Sequence, residues 1–242
     1  MVQLLEDTSM GFVCVIAIVL ISLLIYSYMV SPEPAQATDS SHIPLPEPRY
    51  ESTTSVEEAL KGRRSIRDFS GEPLGIEEVS QLLWAGQGVT SEDGKRTVPS
   101  AGATYPIELY IIALNVEGFN EGIYRYNPSE HSLIRIKEGD FREGLLDATT
   151  NQSRFGKAPV SIIIAGNFEK PRKKFRGVPE DLAKTWVYTE AGNASQNMYL
   201  QSESLGLGMV PMGSFDGDKL NSLLELPSDE TSLYIIPVGR KG

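Results

Sequence analysis

The middle of the chain contains two uninterrupted apolar runs and a pair of segments in which apolar and polar residues alternate. The apolar runs, residues 109–114 (LYIIAL) and 160–165 (VSIIIA), are short and rich in isoleucine. Runs of this kind are typical of strands covered on both faces, so we expect them at the centre of a sheet. Residues 123–126 and 133–136 alternate in polarity around a turn sequence that starts at Asn127, which predicts a hairpin near a sheet edge.

Two helices are predicted before these strands. Ser55 and Glu58 have the spacing of a capping box, which predicts a helix ending near Gly62. Apolar residues recur at helical spacing over residues 76–83. This second helix is expected to end near the glycines at 86 and 88.

Two further helices and a strand are predicted after the apolar runs. Residues 181–204 lack proline, which favours one long helix, and a shorter helix is predicted over 218–226. Residues 233–238 form a last apolar strand. Strands interleaved with helices, together with a hairpin, indicate an α+β fold in which helices pack around a mixed β-sheet.

The first thirty residues have a different character. Residues 11–30 carry no charge and follow a short tail, residues 1–10. A helix of this length crosses the roughly 30 Å hydrocarbon core of a bilayer, so we expect a transmembrane helix and a membrane location. A cleaved signal peptide is the alternative, because Ala35, Gln36 and Ala37 resemble a cleavage site.

The charges around residues 11–30 favour an uncleaved anchor. The tail before them contains Glu6 and Asp7 and no lysine or arginine, unlike the start of a signal peptide. The same lack of basic residues leaves the side of the membrane open. Residues 31–50 are rich in proline and are predicted to be an extended linker, so residues 51–242 remain as one folded domain.

Composition excludes several classes of function. The formal net charge of -10 disfavours nucleic acid as a partner, because an acidic surface repels phosphate backbones. The one cysteine, Cys14, and the two histidines, His42 and His131, provide neither a disulfide framework nor a zinc site nor a Ser/His/Asp triad. We therefore predict no metal site, and expect any redox chemistry to come from a cofactor.

A cluster of basic residues follows the first predicted helix. Arg63, Arg64 and Arg67 stand beside Ser65 in an otherwise acidic protein. Arginine forks match phosphate oxygens and a serine hydroxyl adds a neutral donor, so the cluster is a candidate phosphate site. A solvated run of charge at a helix end has the same pattern, and the spacing does not decide between the two.

A second candidate segment is residues 99–106 (PSAGATYP), which lead into the first apolar run. Up to the tyrosine the segment contains only small residues, which let backbone amides approach a ligand closely. The same pattern fits an ordinary loop that enters a sheet.

The sequences RRSIRDF (63–69), PSAGATYPIELY (99–110) and LGLGMVPMGSF (205–215) together resemble the FMN-dependent nitroreductase family. The SAGATYP form is similar to the SagB-type branch, whose members oxidise thiazolines and oxazolines in modified peptides. The resemblance implies a nitroreductase-like fold and an interlocked homodimer with non-covalent FMN at its interface. It also implies transfer of two electrons between NAD(P)H and an acceptor.

Residue by residue, the resemblance predicts the cofactor contacts. Those at the phosphate and ribityl chain are Arg63, Arg64, Ser65, Arg67 and, near the C-terminus, Arg240. Those at the flavin ring are Pro99, Ser100, Ala101, Gly102, Met209, Val210, Pro211 and Gly213. Tyr105 is a candidate proton donor to the substrate, although a tyrosine in a loop before a strand is more often a packing residue.

The sequence thus predicts a membrane-anchored FMN-dependent oxidoreductase that acts on a small molecule or a modified peptide. The alternative is a non-catalytic flavin- or ligand-binding module on the same anchor. A glycine-rich dinucleotide fingerprint is not an explanation for Gly206 and Gly208, because Pro211 stands where a third glycine is required.

Overall fold

A seven-stranded antiparallel sheet forms the middle of the molecule in the computed structural model, which describes residues 42–150 and 152–242. Its strands are β1 (His42–Pro44), β2 (Ile107–Ala113), β3 (Gly122–Asn127), β4 (Ser132–Glu138), β5 (Val160–Asn167), β6 (Leu207–Met209) and β7 (Glu230–Arg240). Their order across the sheet is β1-β4-β3-β2-β5-β7-β6.

The prediction of a mixed sheet is wrong for these strands, since every neighbouring pair runs antiparallel. The reason lies in the connections. β3 and β4 form the predicted hairpin, and the chain enters β7 at Glu230, directly opposite Asn167 at the end of β5. A strand that re-enters beside the end of its neighbour must run in the opposite direction.

The helices are α1 (Val56–Gly62), α2 (Ile76–Gln87), α3 (Arg142–Ala148), α4 (Ser153–Lys157), α5 (Glu169–Lys174), α6 (Glu180–Ser204) and α7 (Gly217–Leu224). The four predicted helices are confirmed as α1, α2, α6 and α7. The capping box of α1 is also present, with Glu58 N donating to Ser55 Oγ at 3.1 Å and Ser55 N donating to Glu58 Oε2 at 2.8 Å. The short helices α3, α4 and α5 were not predicted.

The central position of the two apolar runs is confirmed, because every residue of β2 and β5 is buried. Alternate residues enter two separate apolar layers. Leu109 and Ile111 pack on the side of α2 and α6, whereas Tyr110 and Ile112 pack on the side of α3, α4 and α7. Both faces of the sheet are therefore covered, which explains why these strands are apolar throughout.

Part of the predicted linker belongs to the fold. Ile43 lies opposite Leu133 in the pairing of β1 with β4, and Leu45 and Pro48 are buried. The His131 ring bridges the two segments, with Nε2 2.9 Å from the Pro46 carbonyl oxygen. The folded unit thus begins earlier than residue 51, and its prolines are tolerated because β1 is a short edge strand.

No helix within residues 42–150 or 152–242 is long and apolar enough to cross a membrane. The predicted transmembrane segment, residues 11–30, and its signal-peptide alternative lie outside the described residues.

Candidate functional site

The basic cluster is held against β6 and the end of β7. Ser65 forms a parallel bridge with Met209, and Ile66 N donates a hydrogen bond to Met209 O at 3.1 Å. A few residues later Phe69 lies opposite Lys241. The approach is close, because a Cβ atom on Gly208 would lie 2.6 Å from a methyl group of Ile66. The structure thus brings residues 63–67 together with Met209 and with the C-terminal basic residues.

The side chains of the cluster are anchored partly by α6. The Ser65 and Tyr199 hydroxyl oxygens are 2.9 Å apart, and the Arg63 guanidinium lies 4.8 Å from the centre of the Tyr199 ring. Arg67 donates to the Ser65 carbonyl at 3.3 Å. Among the described residues, neither Arg63 nor Arg67 forms a salt bridge, so their charges are available to an anion.

Arg64 and Arg240 are engaged differently from these two arginines. Arg64 donates to the carbonyls of Lys61 at 3.0 Å and Arg63 at 2.8 Å, so it caps the end of α1. Arg240 forms a two-pronged ion pair with Glu78, at 2.8 and 3.1 Å. A phosphate would have to compete with these partners, and a cofactor contact for either arginine stays a prediction.

The stretch at residues 209–213 continues from β6 along the edge of β7. Met209 and Val210 are buried, Pro211 is half-buried and Gly213 is exposed. Met212 anchors the stretch through a pair of backbone hydrogen bonds with Ile235, at 3.0 and 2.9 Å. This side of the site is therefore backbone held by hydrogen bonds, and Gly213 is exposed.

The small-residue segment forms a strained loop before β2. Gly102, Ala103 and Tyr105 have positive φ angles of 59°, 52° and 44°. Residues other than glycine rarely adopt this left-handed region. Tyr105 N donates to Ser100 Oγ at 2.8 Å, which closes the loop on itself. The segment from Ser100 to Tyr105, here called the strained loop, keeps Gly102 and Ala103 exposed. Backbone strain of this kind is concentrated at ligand-binding sites.

The replacement of Gly102 by alanine tests two constraints at that position, the positive φ angle and the closeness of the Phe175 ring. The φ angle of +59° is unfavourable for alanine, and the added Cβ would also overlap with the Phe175 ring. The backbone strain alone costs about 1–2 kcal/mol of the free energy of unfolding. We expect Gly102→Ala to exceed that loss in urea unfolding.

Gly94→Ala is the matched control for this exchange. Gly94 has a φ angle of +78°, and a Cβ atom added there would have no atom of the described chain within 4 Å. Equal losses in the two variants would mean that Phe175 does not constrain the strained loop.

A buried polar cluster lies beneath the strained loop. Glu190 of α6 is only 3% exposed, and burial raises the pKa of its carboxyl to about 7. Ser100, Arg96 and Gln87 lie close enough to favour its charged form, but burial outweighs them. Arg96 donates to Gln87 Oε1 at 2.8 Å and stacks on the Tyr105 ring at 4.4 Å.

Sequence reasoning missed Glu190, although a signal was present. The buried side of α6 carries Ala183, Val187, Ala191 and Ala194 at helical spacing, and Glu190 is on the same stripe. A carboxylate among alanines on the buried face of a helix is unusual, and it indicates a candidate functional residue.

The loop and the basic cluster contact α6 at different heights. The cluster contacts Tyr199 and the strained loop lies beside Glu190. Glu190 and Tyr199 are nine positions apart on the helix, a rise of roughly 14 Å at about 1.5 Å per residue. The structure therefore brings the candidate phosphate-binding residues together with Met209. It places the segment from Pro99 to Gly102 nearer the N-terminal end of α6.

A cavity of about 710 Å³ lies elsewhere, where α2 and α6 meet the chain before α1. Trp84, Gln81, Asn197 and Gln201 line it together with residues 49–56. None of the predicted cofactor residues lines this cavity. Within the described ranges, no group of His, Cys, Asp and Glu side chains is arranged to hold a metal ion.

The family model named "Nitroreductase family" matches residues 60–240 of the chain. A nitroreductase-like protein of Methanocaldococcus jannaschii is 40% identical over 186 residues, which are 77% of this chain and 91% of that protein. The crystal structure of a nitroreductase-like protein of Ralstonia eutropha has a TM-score of 0.71 and 31% identity, covering 87% of this chain and 94% of the other.

Two more distant relatives have specific names. The trifolitoxin-processing protein TfxB of Rhizobium leguminosarum is 27% identical, over 62% of this chain and 41% of its own length. The FMN reductase [NAD(P)H] of Bacillus subtilis is 23% identical, over 76% of this chain and 62% of its own length.

Proposed function

Because the chain belongs to the nitroreductase family, we propose that it is an oxidoreductase that binds FMN and transfers two electrons between NAD(P)H and an acceptor. The observation that carries this proposal is the pair of guanidinium groups of Arg63 and Arg67. Neither is neutralised by a carboxylate of the described residues, although the protein as a whole is acidic. The name of the B. subtilis relative supports the same cofactor and electron donor.

The residues present fit a flavin phosphate. Arg63, Arg67 and the exposed Ser65 hydroxyl provide two charged forks and a neutral donor on one short segment, which suits a dianion. The exposed backbone of Gly102 and Ala103 lets a flat ring system approach the strained loop closely. When bound, the flavin supplies the hydride-transfer chemistry, and the protein supplies position and charge.

We also propose that the protein is a homodimer. Val56 and Leu60 on α1 are 63% and 54% exposed, and Leu182 and Tyr188 on α6 are 44% and 54% exposed. Large apolar side chains exposed on neighbouring elements are typical of surfaces that a partner covers. The anchor at residues 11–30 and the membrane location remain proposals based on sequence alone.

A second candidate function is oxidation of an azoline in a modified peptide. The SAGATYP sequence and the trifolitoxin-processing relative favour it. For that reaction a bound flavin would supply the hydride acceptor, and a group on the protein would have to accept a proton from the substrate. Tyr105 stacks under Arg96 beside the exposed part of the strained loop. It stays the candidate proton donor of the main proposal, and no base is assigned for azoline oxidation.

The purified full-length protein tests the main proposal. We expect it to be yellow, with absorption bands in the blue and near ultraviolet, and to oxidise NADH or NADPH when a quinone or a nitroaromatic compound is added. A protein that binds FMN without oxidising either nicotinamide would favour the oxidation of an azoline or the non-catalytic binding module. A colourless protein that takes up no added FMN would refute both.

A further inference from the structure

Glu190 has a location that the proposed chemistry does not explain. Its Oε1 atom is buried and has no hydrogen-bond partner among the described residues, and the same is true of Nε2 of Gln87 beside it. A buried polar atom without a partner costs roughly 1–3 kcal/mol, so such atoms are rare without a functional reason. Here this acceptor of Glu190 and this donor of Gln87 lie close to each other beneath the strained loop, but outside hydrogen-bond geometry.

The surroundings of Glu190 connect it to both ends of that loop. Ser100, whose hydroxyl lies near the carboxyl, accepts the hydrogen bond from Tyr105 N at 2.8 Å. Arg96 stacks on the Tyr105 ring and is attracted by a charged Glu190. A charged carboxylate therefore pulls on the loop at Ser100 and, through Arg96, at Tyr105.

The other charged groups near the cluster are already paired. Lys170 of α5 favours a charged Glu190, but it binds Glu108 and donates to the Tyr105 carbonyl at 3.2 Å. Glu108 of β2 also pairs with Arg125 at 3.0 Å. Arg96 has no salt bridge within the described part of the chain, but Glu108 as well as Glu190 attracts its charge. A charged Glu190 therefore adds to a pull on Arg96 that Glu108 already exerts.

We propose that Glu190 is a positioning residue that holds the strained loop in its ligand-binding conformation when the carboxyl is charged and releases it when the carboxyl is protonated. The flavin part of this proposal rests on the function proposed above. Its consequence is that flavin affinity depends on the protonation of a residue that does not itself contact the ligand.

Hydrogen exchange tests the loop without any ligand. In the full-length protein, the backbone amides of residues 100–105, which lie between Pro99 and Pro106, are expected to exchange at least 3-fold faster in Glu190→Gln than in the wild type at pH 8. At pH 5.5 the two proteins should be equal, because both side chains are then neutral. Glu180→Gln, the same exchange at an exposed position of α6, serves as the control and should match the wild type at both values.

FMN affinity provides the second measurement, by titration of the flavin-free proteins with quenching of flavin fluorescence. The ratio of the dissociation constant of Glu190→Gln to that of the wild type should rise about 3- to 10-fold between pH 6 and pH 8. The FMN phosphate itself titrates near pH 6 and affects the dissociation constants of both proteins equally, so its effect cancels in the ratio. Arg96→Gln removes the attracting charge, and its loop should also lose protection at pH 8.

Equal exchange of these amides at pH 8 in the wild type and Glu190→Gln would overturn the proposal, and so would a ratio of dissociation constants that is independent of pH. If neither the wild type nor any of these variants binds FMN at any pH, the proposed function is wrong. The exchange measurement alone then decides whether Glu190 positions the loop.

Discussion

Replacing Arg63 and Arg67 together by glutamate is expected to weaken FMN binding by roughly 100-fold or more. Hydrogen bonds to charged groups contribute about 1.5–3 kcal/mol each, and about 1.4 kcal/mol corresponds to a factor of ten in affinity. Neither arginine has a carboxylate partner in the described part of the chain, so the exchange breaks no salt bridge there and the loss should appear in binding. Titration of the flavin-free variant with FMN measures it.

Two controls make this experiment specific. Riboflavin lacks the phosphate, so its affinity should change far less than that of FMN. Arg64→Glu removes an arginine that already caps α1 through the carbonyls of Lys61 and Arg63, and we expect a smaller loss. Undiminished FMN affinity in the double variant would show that the basic cluster is only a solvated run of charge.

The variant Glu190→Gln is expected to be more stable than the wild type at pH 8, by up to about 3 kcal/mol. The carboxyl has a pKa of about 7 in the folded protein and 4.5 as its ordinary value, and one pKa unit corresponds to about 1.4 kcal/mol. Between these two values the folded chain binds more protons than the unfolded chain. The wild type therefore loses stability as the pH rises from about 4.5 to about 7, and the loss is complete above that range.

Glutamine stays neutral and removes this loss. The free energies of unfolding of the two proteins should therefore become equal below pH 4.5. Urea unfolding at a series of pH values between 4 and 8 measures the difference. Glu180→Gln, on the same helix but exposed, should bring no comparable gain. A variant that is less stable than the wild type at pH 8 would mean that the charged carboxylate is better solvated or paired than its burial implies.

The two expectations for Glu190 are compatible. A charged carboxylate at this depth costs the fold stability, while its attraction for Arg96 orders the strained loop. Sites that bind ligands often keep such groups at the expense of stability. Glu190→Gln, which should stabilise the fold at pH 8, is thus also expected to weaken flavin binding at that pH.

Local patterns determined much of the fold. The capping box of Ser55 and Glu58, the proline-free stretch that became α6 and the apolar runs of β2 and β5 each depend on residues close together in the chain. Local physics also explains what was missed. Helices α3, α4 and α5 have seven residues or fewer, too short for helical periodicity to be recognised.

What the sequence by itself determined is the type of most elements, the two central strands and the chemical character of the basic cluster and the small-residue loop. Only the tertiary structure decided the antiparallel direction of the strands, the inclusion of residues 42–48 in the fold and the meeting of Ser65 with Met209. It alone placed Glu190 beneath the strained loop. Strand direction and distant contacts follow from how complete elements pack against each other, and burial of a single carboxyl depends on every element that covers it.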